Sequence, residues 1–271
     1  MPEAVRASWG MGSRALWRGR PSRANVCEQG TIVGAVIEIA QLAATAFDRP
    51  EEEVYYPEEG PFPPDGQHWH ACIDVVSQLR GWLRRKPGGN RTWVGTAQQI
   101  HYNRRGSCRF VIPDVAVFFG VDAAELEQRD HHRDYYRVWE TRVAPAWVLE
   151  VAQVHFDYYD QMRSNPESLD GDSDIGIYAA LGVAEFWRTD PTGRGILTTP
   201  LQGYRLADGK WHPAHISADA GGALRGHSDV LGLDLCWRDG KLSLFDPATD
   251  TWLPTYDDLL NAHLDAGTRG D

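Results

Sequence analysis

The chain has 271 residues, 42% of them hydrophobic, an ordinary soluble globular composition that can bury one substantial core; one domain with decorations is expected rather than two full ones. Its formal net charge of -11 argues against a constitutive nucleic-acid coat protein, because phosphate binding leans on Lys and Arg, but leaves room for an enzyme with a local basic rim. Cys27, Cys72, Cys108 and Cys236 form neither a C-x-x-C pair nor a dense framework, so a reducing cytoplasm is the expected location.

Residues 1–30 carry five arginines among Gly, Ser and Pro with little apolar periodicity and read as a basic, disordered extension. Thr31 to Asp48 has Ile32, Val36, Ile39, Ala40 and Ala43 at helical spacing. Glu38 interrupts the apolar run, which is also too short to span a bilayer comfortably, so an ordinary helix stopped by Pro50 is expected. Glu51 to Gly66 is rich in Glu, Pro and Gly, as exposed loops are. The next helix spans His68 to Arg85, with Ile73, Val76, Leu79 and Leu83 as its buried stripe and Arg80, Arg84, Arg85 and Lys86 at its C-terminal end. His68 and His70 at its entrance either serve a metal or proton site or are simply exposed.

After the turn Pro87 to Asn90, residues Arg91 to Tyr102 alternate as a strand. Asn103 to Gly106 is then a hairpin connection flanked by Arg104, Arg105 and Arg109. The run from Phe110 to Phe119 is apolar at nearly every position except Asp114, the signature of a strand buried on both faces. A second such strand, Trp147 to Ala152, is apolar apart from Glu150. Two ionised carboxylates in neighbouring core strands are costly unless something compensates. A divalent cation held by both would resolve the cost, and so would arginine partners or exposure at strand ends.

The acidic segment Val154 to Ser173 reads as a loop containing Asn165-Pro166, with Ser173 a candidate N-cap for a helix over Ile175 to Leu181. Gly182 ends that helix, Val183 to Arg188 is a strand, and Asp190 to Gly193 turns. The remainder is β: Leu201 to Leu206, Trp211 to Ile216, Val230 to Trp237 and Lys241 to Phe245, with turns at Asp208-Gly209 and Asp239-Gly240. Asp257 to Asp271 forms a short helix and a tail.

Several of these pieces resemble a known family. Pro113-Asp114 followed by Leu149-Glu150-Val151, the segments Trp93-Val94 and Ile100-His101-Tyr102, and Tyr178 to Trp187 closing on Asp190-Pro191 are similar in order and kind to the Uma-two family of restriction-endonuclease-like proteins, a branch of the PD-(D/E)xK nuclease superfamily. Leu201 to Leu206, Val230 to Leu235 and Leu244 to Pro247 resemble that family's C-terminal strands, and the likeness spans about Asp65 to Tyr256. It implies an α/β restriction-endonuclease-like domain over residues 31–256: a mixed sheet flanked by helices, with a C-terminal antiparallel β extension. It also implies metal-dependent phosphodiester hydrolysis in DNA, with Asp114 and Glu150 binding Mg²⁺ or Mn²⁺, Gln153 at most orienting water, and Arg104, Arg105 and Arg109 contacting phosphate. A homodimer would supply the two sites that cutting both strands needs.

The chain departs from that pattern at one place. The superfamily's usual lysine, two residues past the glutamate, is Ala152 here. Uma-two proteins resemble a migrated version, with lysine on the following helix four residues before a tyrosine and a serine near the strand end. Those places are Asp174, four residues before Tyr178, and Gln153. An impaired nuclease is therefore expected, with a non-catalytic nucleic-acid-binding or protein-interaction module as the alternative. A His-based hydrolase using His68, His70 or His155 has no Ser or Cys signature behind it.

Overall fold

A computed structural model describes residues 66–104, 107–122, 126, 135–152, 174–193, 195 and 197–268. The basic extension, the helix expected at residues 31–48 and the loop leading to residue 66 lie outside these. Helix α1 (Gly66–Leu83) opens the fold, followed by a 3₁₀ turn, Gly89–Arg91. Strands β1 (Thr92–Thr96), β2 (Gln99–Arg104), β3 (Ser107–Val111), β4 (Val115–Phe119) and β5 (Tyr135–Arg137) precede a single helical turn, α2 (Val138–Thr141). Then come β6 (Trp147–Val151), α3 (Asp174–Leu181), β7 (Glu185–Thr189), β8 (Leu201–Ala207) and β9 (Lys210–Pro213). The C-terminal part comprises β10 (Ile216–Ala218), β11 (Leu224–Ser228), β12 (Leu233–Arg238), β13 (Lys241–Asp246), β14 (Thr251–Trp252) and α4 (Tyr256–Thr268).

Three sheets result. The central one has six strands in the order β1-β4-β6-β7-β8-β9 and is mixed: β6 and β7 are parallel, joined through α3, while the other neighbours are antiparallel. An all-antiparallel sheet, β10-β11-β12-β13-β14, forms the C-terminal extension. The third, β3-β2-β5, pairs β2 with β3 antiparallel and with β5 parallel. This is the restriction-endonuclease-like α/β class expected from the sequence.

Strand alternation divides the core into two layers. Val115, Val117, Trp147, Leu149, Val151 and Trp187 point to one face, against Cys72, Val75, Leu79 and Trp82 of α1 and against the five-stranded sheet. Ala116, Phe118, Val148 and Phe186 point to the other, against Ile175, Tyr178 and Leu181 of α3 and the three-stranded sheet. Trp187 is pressed closely on its own face: a Cβ added at Gly203 of β8 would lie 2.5 Å from its ring and one at Gly226 of β11 2.9 Å away. Those two glycines let two sheets close over one indole.

Several expectations need correction. The apolar run from Phe110 to Phe119 is not one strand. It breaks at Ile112-Pro113-Asp114, because Pro113 lacks a ladder donor, and its halves join different sheets. Asp114 consequently precedes β4 instead of lying inside a strand. The stretches Arg91 to Tyr102 and Trp211 to Ile216 divide in the same way, each between two sheets. On α1 Val76, Leu79 and Leu83 are buried as expected, but Cys72 and Val75 join the stripe and Ile73 is only half-buried, since the helix packs against two sheets at once. Strand β11 was not expected at all, and β12 begins at Leu233, after a turn over Asp229 to Gly232.

The three-stranded sheet carries an acid-sensitive group. His101 on β2 is fully buried between the rings of Phe110 and Tyr135, with centroids 5.2 and 4.9 Å away, and its Nε2 lies 3.1 Å from Gln99 Oε1. Burial, and then the charge of Arg137, lower its pKa from 6.5 to about 4. The unfolded chain therefore binds this proton more readily than the folded one. Stability from a neutral His101 is complete above pH 6.5 and is lost as pH falls toward 4. The loss is expected to be about 3 kcal/mol. Urea midpoints measured at about pH 7 and about pH 4 should fall further in the parent than in His101→Phe.

Candidate active site

Asp114 and Glu150 reach the same end of the central sheet from adjacent strands. Strands β4 and β6 pair with Val115 opposite Leu149, so Asp114, one residue before β4, stands beside Glu150 and Val151. The contact is direct: the Val151 N–H donates to Asp114 Oδ2 at 2.7 Å. The other oxygen, Oδ1, lies 2.9 Å from His68 Nε2 in the first turn of α1. Asp114 is thus clamped from two sides with a side chain only 18% exposed.

Glu150 points to the opposite layer, where the Tyr178 hydroxyl donates to its Oε1 at 2.6 Å. Burial pushes the Tyr178 hydroxyl well up, and the charges of Glu150, Asp174 and Asp114 push it further. Asp174 is one helical turn before Tyr178 on α3, on the side that faces this site. Across the sheet, Arg188 of β7 is the register partner of Glu150. Nothing in the local sequence marks this arginine; parallel pairing of β6 with the strand after α3 puts it in place.

Helix α1 adds two side chains. His68 and Cys72 are four residues apart on one face, 3% and 1% exposed, and Cys72 Sγ lies 3.9 Å from His68 Nδ1 and 4.0 Å from Nε2. Burial raises the Cys72 thiol far above its usual range, and the charges of Asp114 and Glu150 raise it further. Among the described residues, the ligand atoms of His68, Cys72 and Asp114 all lie within 4.8 Å of one another. His68 was a sequence candidate; Cys72 was not, although the H-x-x-x-C spacing on a helix was there to read. His70, in the same turn, is exposed.

The remaining candidates are placed less fully. Arg104 and Arg109 fall on β2 and β3, the two arms of the expected hairpin, but their side chains, all of Arg105, and Gln153 lie outside the described residues. Ala152, at the usual lysine place, donates its N–H to Thr189 O at 2.8 Å and continues the β6–β7 pairing.

The model of a family described as "putative restriction endonuclease", Uma2, matches residues 37–235, well over half of the chain. The chain belongs to the Uma2 family. Neither a curated protein nor a solved structure matches it. The Uma2 match takes in the central sheet, α1 and α3, and so every side chain named above. No described helix of this Uma2 protein is long and apolar enough to cross a membrane.

Proposed function

We propose that this Uma2 protein is a DNA endonuclease dependent on Mg²⁺ or Mn²⁺ whose cleavage is slowed by the loss of the family's lysine. The observation that carries the reading is that the β4–β6 pairing brings Asp114, one residue before β4, beside Glu150 at one end of the sheet, with each carboxylate oriented by a hydrogen bond. A carboxylate offers about four acceptor sites, so a single donor on an oxygen leaves coordinating capacity, and the donor set fits a divalent cation. When bound, such a cation lowers the pKa of a water and stabilises charge on a phosphoryl group.

The chain's own residues have separable tasks. His68 and the Val151 N–H hold the Asp114 carboxylate, and Tyr178 holds that of Glu150. Positioning of this kind keeps ligands from collapsing onto each other when substrate is absent. Arg104, Arg105 and Arg109 are the proposed phosphate contacts, and Arg188, the register partner of Glu150, is a further candidate positive charge. Gln153 has at most a water-orienting role. A homodimer would bring two such sites to the two strands.

Asp174 favours a second reading, because an acid at the place where the resemblance puts a lysine opposes both water activation and phosphate binding. On that reading the fold survives as a non-catalytic nucleic-acid-binding or protein-interaction module. Calorimetric titration with Mn²⁺ beside a plasmid-nicking assay separates the two. The nuclease reading expects Mn²⁺ binding and slow nicking, both lost in Asp114→Asn. A module would bind DNA equally with and without metal and be indifferent to that substitution.

A further inference from the structure

We propose that His68, Cys72 and Asp114 form a binding site for a borderline-soft transition-metal ion of the Zn²⁺ class, in preference to Mg²⁺. This goes beyond the nuclease reading and holds whether or not DNA is cut. Three protein ligands of three kinds converge here: an imidazole nitrogen, a thiol sulfur and a carboxylate oxygen, all within 4.8 Å. Mg²⁺ takes oxygen donors almost exclusively, whereas imidazole and thiolate together suit Zn²⁺ and Co²⁺. The carboxylate pair alone would not distinguish the cations; the side chains on α1 do.

The geometry is close to what such an ion needs. With metal–nitrogen and metal–oxygen distances of about 2.0–2.1 Å and metal–sulfur of about 2.3 Å, tetrahedral ligands stand about 3.3–3.6 Å apart. His68 Nε2 is 2.9 Å from Asp114 Oδ1 and 4.0 Å from Cys72 Sγ, each about half an ångström from the ideal, while Cys72 Sγ and Asp114, within 4.8 Å, need to close by up to about 1.2 Å through side-chain rotation. Insertion of the ion would replace the His68 to Asp114 contact by two bonds to metal, and sulfur ligation would release one proton to the buffer. The fourth position is left to solvent, as in sites with three protein ligands.

Helix α1 is held in the rotation this requires. Trp82 Nε1 donates to Asp246 Oδ2 at 2.9 Å, and Gln78 Oε1 accepts from the Leu244 N–H at 3.0 Å, tying the helix to β13. Cys72 and His68 therefore face Asp114 through packing remote from the site. A thiol that merely filled core volume would not need a histidine one turn before it and a carboxylate opposite.

The test uses the full chain, reduced and stripped of metal, titrated with Co²⁺ under absorption spectroscopy and with Zn²⁺ and Mg²⁺ by calorimetry. The parent is expected to show a sulfur-to-cobalt charge-transfer band and to bind Zn²⁺ more tightly than Mg²⁺. Cys72→Ser should lose the band, and both it and His68→Gln should weaken Zn²⁺ binding about tenfold or more, with unchanged circular dichroism. Cys236→Ser serves as control and should change neither. If Cys72→Ser does not fold, His68→Gln decides, since it must keep the sulfur band while losing affinity. A parent without the band, a band that survives Cys72→Ser, or equal affinity for Mg²⁺ and Zn²⁺ overturns the proposal. DNA cleavage is not a readout here, so a failed nuclease assay leaves this result standing.

Discussion

Asp174→Lys is expected to raise DNA cleavage by about two to three powers of ten over the parent, equivalent to a few kcal/mol of transition-state stabilisation. The position is defined by three successive relations. Asp174 is one turn before Tyr178 on α3, Tyr178 donates to Glu150, and Glu150 is beside Asp114 across the β4–β6 pair. A lysine at residue 174 would place a mobile positive charge near the two carboxylates, where it can hold the scissile phosphate or polarise the attacking water. An aspartate there has the opposite sign. Plasmid nicking with Mg²⁺ and with Mn²⁺, parent beside variant, measures the change. Fast cleavage by the parent that lysine then lowers would show that another group already supplies the charge, and Arg188, the register partner of Glu150, is the first to replace.

Glu185→Ala is expected to destabilise the protein by about 3–5 kcal/mol, the range for removing one partner from a buried charged network. Glu185 is 2% exposed and receives four donors: Trp187 Nε1 at 3.1 Å, the Ser228 hydroxyl, and the N–H groups of Asp229 at 2.8 Å and Val230 at 3.3 Å. Arg205 adds a cation at 3.7 Å. The carboxylate thereby joins β7 of the central sheet to the turn between β11 and β12 of the five-stranded sheet. Truncation strands those donors away from water and loosens the closure over Trp187. Urea unfolding should show the fall in midpoint, with Glu185→Gln milder because it keeps one carbonyl acceptor. A loss below about 1 kcal/mol in Glu185→Ala would mean that water replaces the carboxylate at no penalty.

Much of this architecture is legible in the sequence. Asp208-Gly209 and Asp239-Gly240 announced two hairpins, and all four residues have positive φ, as two-residue turns of that kind require. The two acids stood out because each occupies a place where its neighbours are apolar. What misled was continuity of hydrophobicity. An apolar run does not reveal that a chain has left one sheet and entered another, so the break at Pro113 was read through even though proline itself marked it. Strand β11 failed for the opposite reason. Arg225, Gly226 and His227 have no strand pattern, because Gly226 is small to admit Trp187 and its two neighbours pair with Asp234.

The residues of the candidate site divide along the same line. Asp114 and Glu150 were readable from local pattern, whereas Cys72, Tyr178 as the partner of Glu150, and Arg188 depend on how helix and strand pack. A cysteine on a buried helical face looks like core until the opposite carboxylate is known. Arg188 looks like the exposed end of a strand until its register with Glu150 is fixed.

The central claim is that Asp114 and Glu150 form a nuclease site that lacks one positive charge. Single-turnover nicking of supercoiled plasmid by four proteins tests it most directly: the parent, Asp114→Asn, Asp174→Lys, and the double variant Asp114→Asn/Asp174→Lys. The account predicts slow, metal-dependent nicking by the parent, a gain of about a hundredfold or more in Asp174→Lys, and background levels in both proteins that carry Asn at residue 114. A double variant that retains the gain would contradict it, because the added lysine would then be working through something other than this pair of carboxylates.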